Sequence, residues 1–146
     1  MTTKIPAEKR RKPTKGIARV LLVEDDAILA MALEEALLRA GAGEVTICAS
    51  VEQTMRELEL IRPEAIVLDV HLSDRNDGWA LAELVSLLGA RPPRIVFSTG
   101  SPEAIPENVA AMGPVFVKPY DPEELVSALL EGPKTGLFTL LRRSMR

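Results

Sequence analysis

The chain has 146 residues, 47% of them hydrophobic and 27% charged, enough for one domain with a real core and too apolar for a wholly disordered or fibrous chain. A single cysteine, Cys48, and a single histidine, His71, exclude an intramolecular disulfide and a thiolate metal cluster, and argue against a His-rich zinc site or a catalytic triad. The net charge of −3 conceals a segregation: residues 1–16 carry six Lys/Arg against one Glu, residues 132–146 carry four and no acid, and residues 17–131 hold 20 acids against 8 bases, a net of −12.

Residues 1–16, with Pro6 and Pro13 and hardly an apolar side chain, are expected to be a disordered basic arm that solubilises rather than binds nucleic acid or membrane. No apolar run approaches the roughly 20 residues of a spanning helix, and the basic start lacks the apolar core of a signal peptide. With one cysteine, a reducing cytoplasm is the expected compartment.

From Ile17 to Glu131 short apolar runs alternate with longer amphipathic stretches, the pattern of βα units whose parallel sheet is covered on both faces. The expected strands are Arg19 to Val23, Val45 to Cys48, Ala65 to Leu68, Arg94 to Phe97 and Val115 to Val117, each rich in β-branched or apolar residues. The first helix is expected over Ala27 to Ala40, with Leu29, Leu33 and Leu37 facing the core and Gly41 as its stop. The second opens on a Ser50/Gln53 capping box and ends before Pro63. Asp77-Gly78 opens a third, carrying Trp79, Leu81, Leu84 and Leu88 before Gly89. Pro102 and Pro106 confine the fourth to a short segment up to Met112, and Asp121-Pro122-Glu123-Glu124 is a strong start for the fifth. Residues 132–146 form a basic tail or a short amphipathic helix that packs back onto the domain.

In an open parallel sheet the functional crevice lies beyond the carboxyl ends of the strands. There the first strand presents Glu24, Asp25 and Asp26, the third Asp69, the fourth Ser98, Thr99 and Gly100, and the fifth Lys118. If the first and third strands are neighbours, the carboxylates of Glu24, Asp25 and Asp69 meet and repel unless cations neutralise them. A hard divalent ion such as Mg²⁺ suits three such oxygen ligands, and Lys118 adds a fixed positive charge. Screened in this way, Asp69 can attack an activated phosphoryl group, whose oxygens then meet Mg²⁺, Lys118 and the Thr99 hydroxyl in a pocket left open by Gly100.

The runs Leu-Leu-Val-Glu-Asp-Asp, Ile-Val-Leu-Asp-Val-His-Leu, Val-Phe-Ser-Thr-Gly and Phe-Val-Lys-Pro-Tyr, in that order and spacing, resemble the receiver domain of bacterial two-component response regulators, in its single-domain, CheY-like form. The resemblance covers residues 17–131 and implies a doubly wound, flavodoxin-like (βα)5 sheet of strand order 2-1-3-4-5. It makes Asp69 the phosphoacceptor, Glu24 and Asp25 metal-binding acids, Thr99 the switch hydroxyl and Lys118 the phosphoryl-binding lysine. It also implies that the backbone carbonyl of His71 is a metal ligand and that Lys118-Pro119 is cis. Three departures stand out: one residue more than usual between Asp69 and Gly78 with Ser73 in place of proline, Val115 where the family often has an aromatic ring, and a short fourth helix.

The expected function is phosphoryl acceptance from a sensor histidine kinase or phosphotransfer protein, with the domain catalysing its own phosphorylation and dephosphorylation and signalling by protein contact. No direct DNA binding is expected. The alternative is a pseudo-receiver or adaptor that takes no phosphoryl group, against which stands the full set of acids, Thr99 and Lys118. A Mg²⁺ phosphatase is remote, because Asp69 is followed by Val70-His71 and lacks the second Asp of such hydrolases. The expected docking residues for the kinase are Asp26, Ala27, Ala30, Met31, Tyr120 and Pro122. His71 is read as an exposed ring, Cys48 as a buried strand residue and Trp79 as packing or partner contact.

Overall fold

The computed structural model describes residues 2–4, 16–72, 77–89 and 91–131. Its strands are β1 (Thr2–Lys4), β2 (Arg19–Val23), β3 (Glu44–Cys48), β4 (Ala65–Asp69), β5 (Arg94–Thr99) and β6 (Val115–Val117), and its helices α1 (Ala27–Arg39), α2 (Val51–Ile61), α3 (Ala80–Ser86), α4 (Glu107–Ala110) and α5 (Pro122–Glu131). A turn of 3-10 helix at Pro102–Ala104 precedes α4.

The sheet order is β1-β3-β2-β4-β5-β6. Strands β3, β2, β4, β5 and β6 are parallel, the 2-1-3-4-5 order expected for a doubly wound sheet. β1 is an addition: it runs antiparallel along β3, Thr2 opposite Thr46 and Lys4 opposite Glu44, where an unpaired arm was expected. The outer edge of β3 offers backbone groups that any short extended segment can pair with, so an apolar pattern is not required. Residues 5–15 and 132–146, the rest of the basic arm and the basic tail, lie outside the described residues, as does Ser73.

Alternation along each strand divides the core into two layers. Val20, Leu22, Val67, Val96 and Phe116 point to Leu33 and Leu37 of α1 and Leu125 and Leu129 of α5. Leu21, Val23, Ile66, Leu68 and Phe97 point the other way, to Val51 and Leu58 of α2, Leu81 and Val85 of α3 and Val109 of α4. Each fully buried Leu or Phe contributes roughly 1.5–3 kcal/mol to holding a helix on its face.

The caps expected at Ser50 and Asp121 form and Asp26 adds a third, whereas α3 starts at Ala80 with Trp79 before it and no side-chain cap. Asp26 Oδ1 accepts the N–H groups of Ile28 and Leu29 at 3.0 and 3.2 Å, Ser50 Oγ accepts Gln53 N–H at 3.1 Å, and Asp121 Oδ1 accepts Glu123 N–H at 3.0 Å. Two apolar faces differ from expectation. In α1 the buried set is Ala30, Leu33, Ala36 and Leu37, with Leu29 at its margin, because small alanines let the helix lie close to the sheet. In α3 the buried set is Leu81, Ala82 and Val85, while Leu84 and Leu88 are exposed and the helix ends at Ser86. The Lys118-Pro119 bond is cis. Among the described residues no helix is long and apolar enough to cross a membrane.

Candidate functional site

Glu24 and Lys118 follow, and Asp69 ends, strands whose alternate residues Leu22, Phe116 and Val67 face α1 and α5, so all three side chains leave the sheet on that face, at its carboxyl end. Glu24 continues the ladder of β2, donating its N–H to Cys48 O at 3.0 Å, and its Oε2 accepts Asp26 N–H at 3.1 Å. Asp69 closes β4, and its Oδ1 accepts His71 N–H at 3.0 Å. Both acids are 2% exposed. Lys118 Nζ stands between them, 2.9 Å from Glu24 Oε1 and 3.2 Å from Asp69 Oδ2. Asp25 is exposed and completes an acidic trio: one carboxylate oxygen each from Glu24, Asp25 and Asp69 lies within 4.8 Å of the others.

One ammonium is too little for two buried carboxylates. Burial first, and then the proximity of Asp69, push the Glu24 carboxyl up to about 7, although Lys118 pulls it down. Burial also works against the Lys118 ammonium, but Glu24 and Asp69 outweigh it and hold its pKa above the ordinary lysine value. A hard divalent cation fits this donor set, since it supplies the missing positive charge to oxygen ligands that already converge.

Thr99 is fully buried, and its Oγ1 accepts Ser101 N–H at 2.9 Å. Its carbonyl accepts Lys118 N–H at 2.8 Å, which fastens the end of β6 to β5. A side chain at Gly100 would meet nothing within 4 Å, so the space there is open by position and not by the lack of a Cβ. Gly78, expected to open the third helix, also shapes the site. A Cβ on it would stand 2.9 Å from Val70 O and 3.0 Å from Asp69 O, so glycine alone lets the approach to α3 lie against the strand end that carries Asp69.

The expected docking residues divide. Asp26, Ala27 and Met31 are exposed, and Pro122 is partly so. Ala30 is 3% exposed and belongs to the core face of α1, which corrects its assignment to the docking surface. Ile28, 83% exposed and one turn before Met31, is the apolar residue that surface gains. Tyr120 is partly exposed, and its ring meets Phe116 edge-on with centroids 5.8 Å apart while its hydroxyl shares a 2.6 Å hydrogen bond with Ser98 Oγ. His71 is half-buried rather than exposed. Cys48 is buried in β3, its thiol pushed up to about 11 by burial, and Trp79 packs against the layer formed by α2, α3 and α4.

Residues 20–130 match the response regulator receiver domain family. The chain belongs to that family. It is therefore a signalling domain of two-component systems and not a metabolic enzyme. It is 28% identical over 115 residues to the chemotaxis protein CheY of Thermotoga maritima, covering 76% of this chain and 93% of that protein. To the sensory transduction protein LytT of Bacillus cereus it is 32% identical over 114 residues, again 76% of this chain but only 45% of LytT, so it spans less than half of that relative. A CheY-like receiver domain from Methylobacillus flagellatus shares the fold with a TM-score of 0.67 at 19% identity, over 80% of this chain and 98% of that one.

Proposed function

We propose that this receiver domain accepts a phosphoryl group on Asp69 from a histidine kinase or phosphotransfer protein and passes the signal on by protein contact. The observation that carries the reading is the buried Asp69 carboxylate, at the end of a central strand, held 3.2 Å from Lys118 Nζ with Glu24 on the other side of that ammonium. In the transfer a carboxylate oxygen of Asp69 attacks the phosphorus of a phosphohistidine, an O–P bond forms and the P–N bond breaks. The imidazole nitrogen keeps the bonding electron pair and takes up a proton. Lys118 meets the charge of the incoming phosphoryl oxygens, and the Thr99 hydroxyl, whose oxygen accepts Ser101 N–H, donates its O–H to the acyl phosphate.

Glu24, Asp25, Asp69 and the carbonyl of His71 are the ligands we assign to Mg²⁺. Bound there, the ion neutralises charge on the carboxylates and on the transferring group. The domain itself promotes both its phosphorylation and its hydrolysis, so a small acyl phosphate serves as donor without a kinase. Kinase docking falls to Asp26, Ala27, Ile28, Met31 and Pro122, where the exposed apolar side chains of Ile28 and Met31 lie on the helix that opens beside the acidic site. Residues 17–131 are the receiver, with basic segments on either side of it.

The test is intact-mass analysis after incubation with acetyl phosphate and Mg²⁺. The wild-type chain gains one phosphoryl group and Asp69→Asn, folded by circular dichroism, gains none. A folded Asp69→Asn that still takes the label overturns the assignment.

A further inference from the structure

Ser98 precedes the buried Thr99 and lies in register with Asp69 on one side and Phe116 on the other. Its neighbours on β5 alternate, Val96 toward α1 and α5 and Phe97 away, so Ser98 returns to the face from which Glu24, Asp69 and Lys118 project. It is 1% exposed, and its hydroxyl is satisfied across the sheet by Tyr120, two residues beyond Lys118 and 22 residues along the chain from Ser98. The Tyr120 phenol is held above the ordinary tyrosine value chiefly by burial, and the charges of Glu24, Lys118 and Asp69 are near enough to act on it.

Lys118 is thus bracketed by two ties to the same strand. Its own N–H bonds to Thr99 O at 2.8 Å, and the Tyr120 hydroxyl bonds to Ser98 at 2.6 Å. Between the two, the ammonium must reach Glu24 and Asp69 together, and a loop free to drift after Lys118 would not hold it there. The ring of Tyr120, wedged edge-on against Phe116, fixes the angle at which the second tie arrives.

We propose that Tyr120 and Ser98 form a latch that positions the Lys118 ammonium between Glu24 and Asp69, making Tyr120 a positioning residue for phosphoryl acceptance. The inference rests on the Asp69 reading above for its kinetic consequence, but the placement of Lys118 is measured without any phosphoryl donor. It also gives the one tyrosine of the chain an inward task beside the partner contact expected from sequence.

The experiment uses the full chain and four proteins: wild type, Tyr120→Phe, Ser98→Ala and the double variant. Three quantities are read: the ¹⁵Nζ resonance of Lys118, the melting temperature and the rate of labelling by acetyl phosphate with Mg²⁺. Each single variant is expected to move the Lys118 signal and slow labelling about tenfold, the range found when a supporting hydrogen bond behind a reacting group is lost. Each also melts earlier, because one buried hydroxyl or its cavity is left unsatisfied. The double variant removes both partners, so it recovers melting temperature while labelling stays as slow as in the singles. A purely structural contact gives a different result: the rate recovers together with stability, or the Lys118 signal does not move, and either outcome overturns the latch. Wild-type protein that takes no label fails the Asp69 reading instead, and the Lys118 signal then decides the latch alone, upheld if Tyr120→Phe moves it and refuted if not.

Discussion

Two ion clusters in this molecule each pair one cation with two carboxylates, in opposite surroundings. Arg39 at the end of α1 pairs with Glu35 at 2.9 Å and with Glu123 of α5, all three more than half exposed. Lys118 pairs with Glu24 and Asp69, whose side chains are 1% and 3% exposed. Water already solvates every charge of the first cluster, so its pairing adds little and asks for nothing more. The second has given up that water, and its own cation does not make up the loss: Glu24 stands near 7 because of it. The unmet demand for positive charge is what makes the buried cluster a site and leaves the exposed one a surface contact.

Removing the cation separates the two most strongly. Lys118→Ala leaves two buried carboxylates unpaired and is expected to cost about 3 kcal/mol at pH 8, measured by urea unfolding without Mg²⁺. The cost shrinks toward pH 5 as Glu24 takes up a proton. An equal cost at both pH values would contradict the shared burial of the two acids.

Proton linkage is the next effect in size. The folded chain holds the Glu24 proton up to about pH 7, whereas the unfolded chain releases it near 4.5. The stability this lends is complete below about pH 4.5 and is lost as pH rises to about 7, a fall of about 3 kcal/mol at most for metal-free protein. Glu24→Gln should flatten that stretch of the curve, and a wild-type curve no steeper than that of the variant would count against it.

The smallest effect belongs to the exposed cluster. Arg39→Ala is expected to cost under about 1 kcal/mol, and the difference should vanish in 1 M salt, where screening acts over a few ångströms. A larger or salt-insensitive loss would mean that Arg39 does more than bridge α1 and α5.

Sequence pattern carried the parallel sheet and its acids well, for a reason visible in the strands. Four consecutive apolar residues before Asp69 and the Val-Phe-Val run before Lys118 mark these two strand ends to within a residue, and strand ends are where this fold places its chemistry. Helix faces were less legible. The leucine spacing of α1 pointed to Leu29, but close packing favoured Ala30 and Ala36, which a hydrophobic pattern does not distinguish from surface alanine. Strand β1 carries no apolar signal at all, since it pairs through its backbone. The tie made by Tyr120 depends on Ser98, a partner on another strand that local sequence around Tyr120 cannot reveal.

The shortage of positive charge at the buried cluster is tested most directly by a ¹³C NMR titration of the Glu24 side-chain carboxyl, with and without Mg²⁺. Without the ion the carboxyl is expected to titrate near pH 7, and with saturating Mg²⁺ to fall back into the ordinary range around 4.5 or below. A Glu24 that titrates near 4.5 in metal-free protein, or one that Mg²⁺ leaves unmoved near 7, would contradict the account.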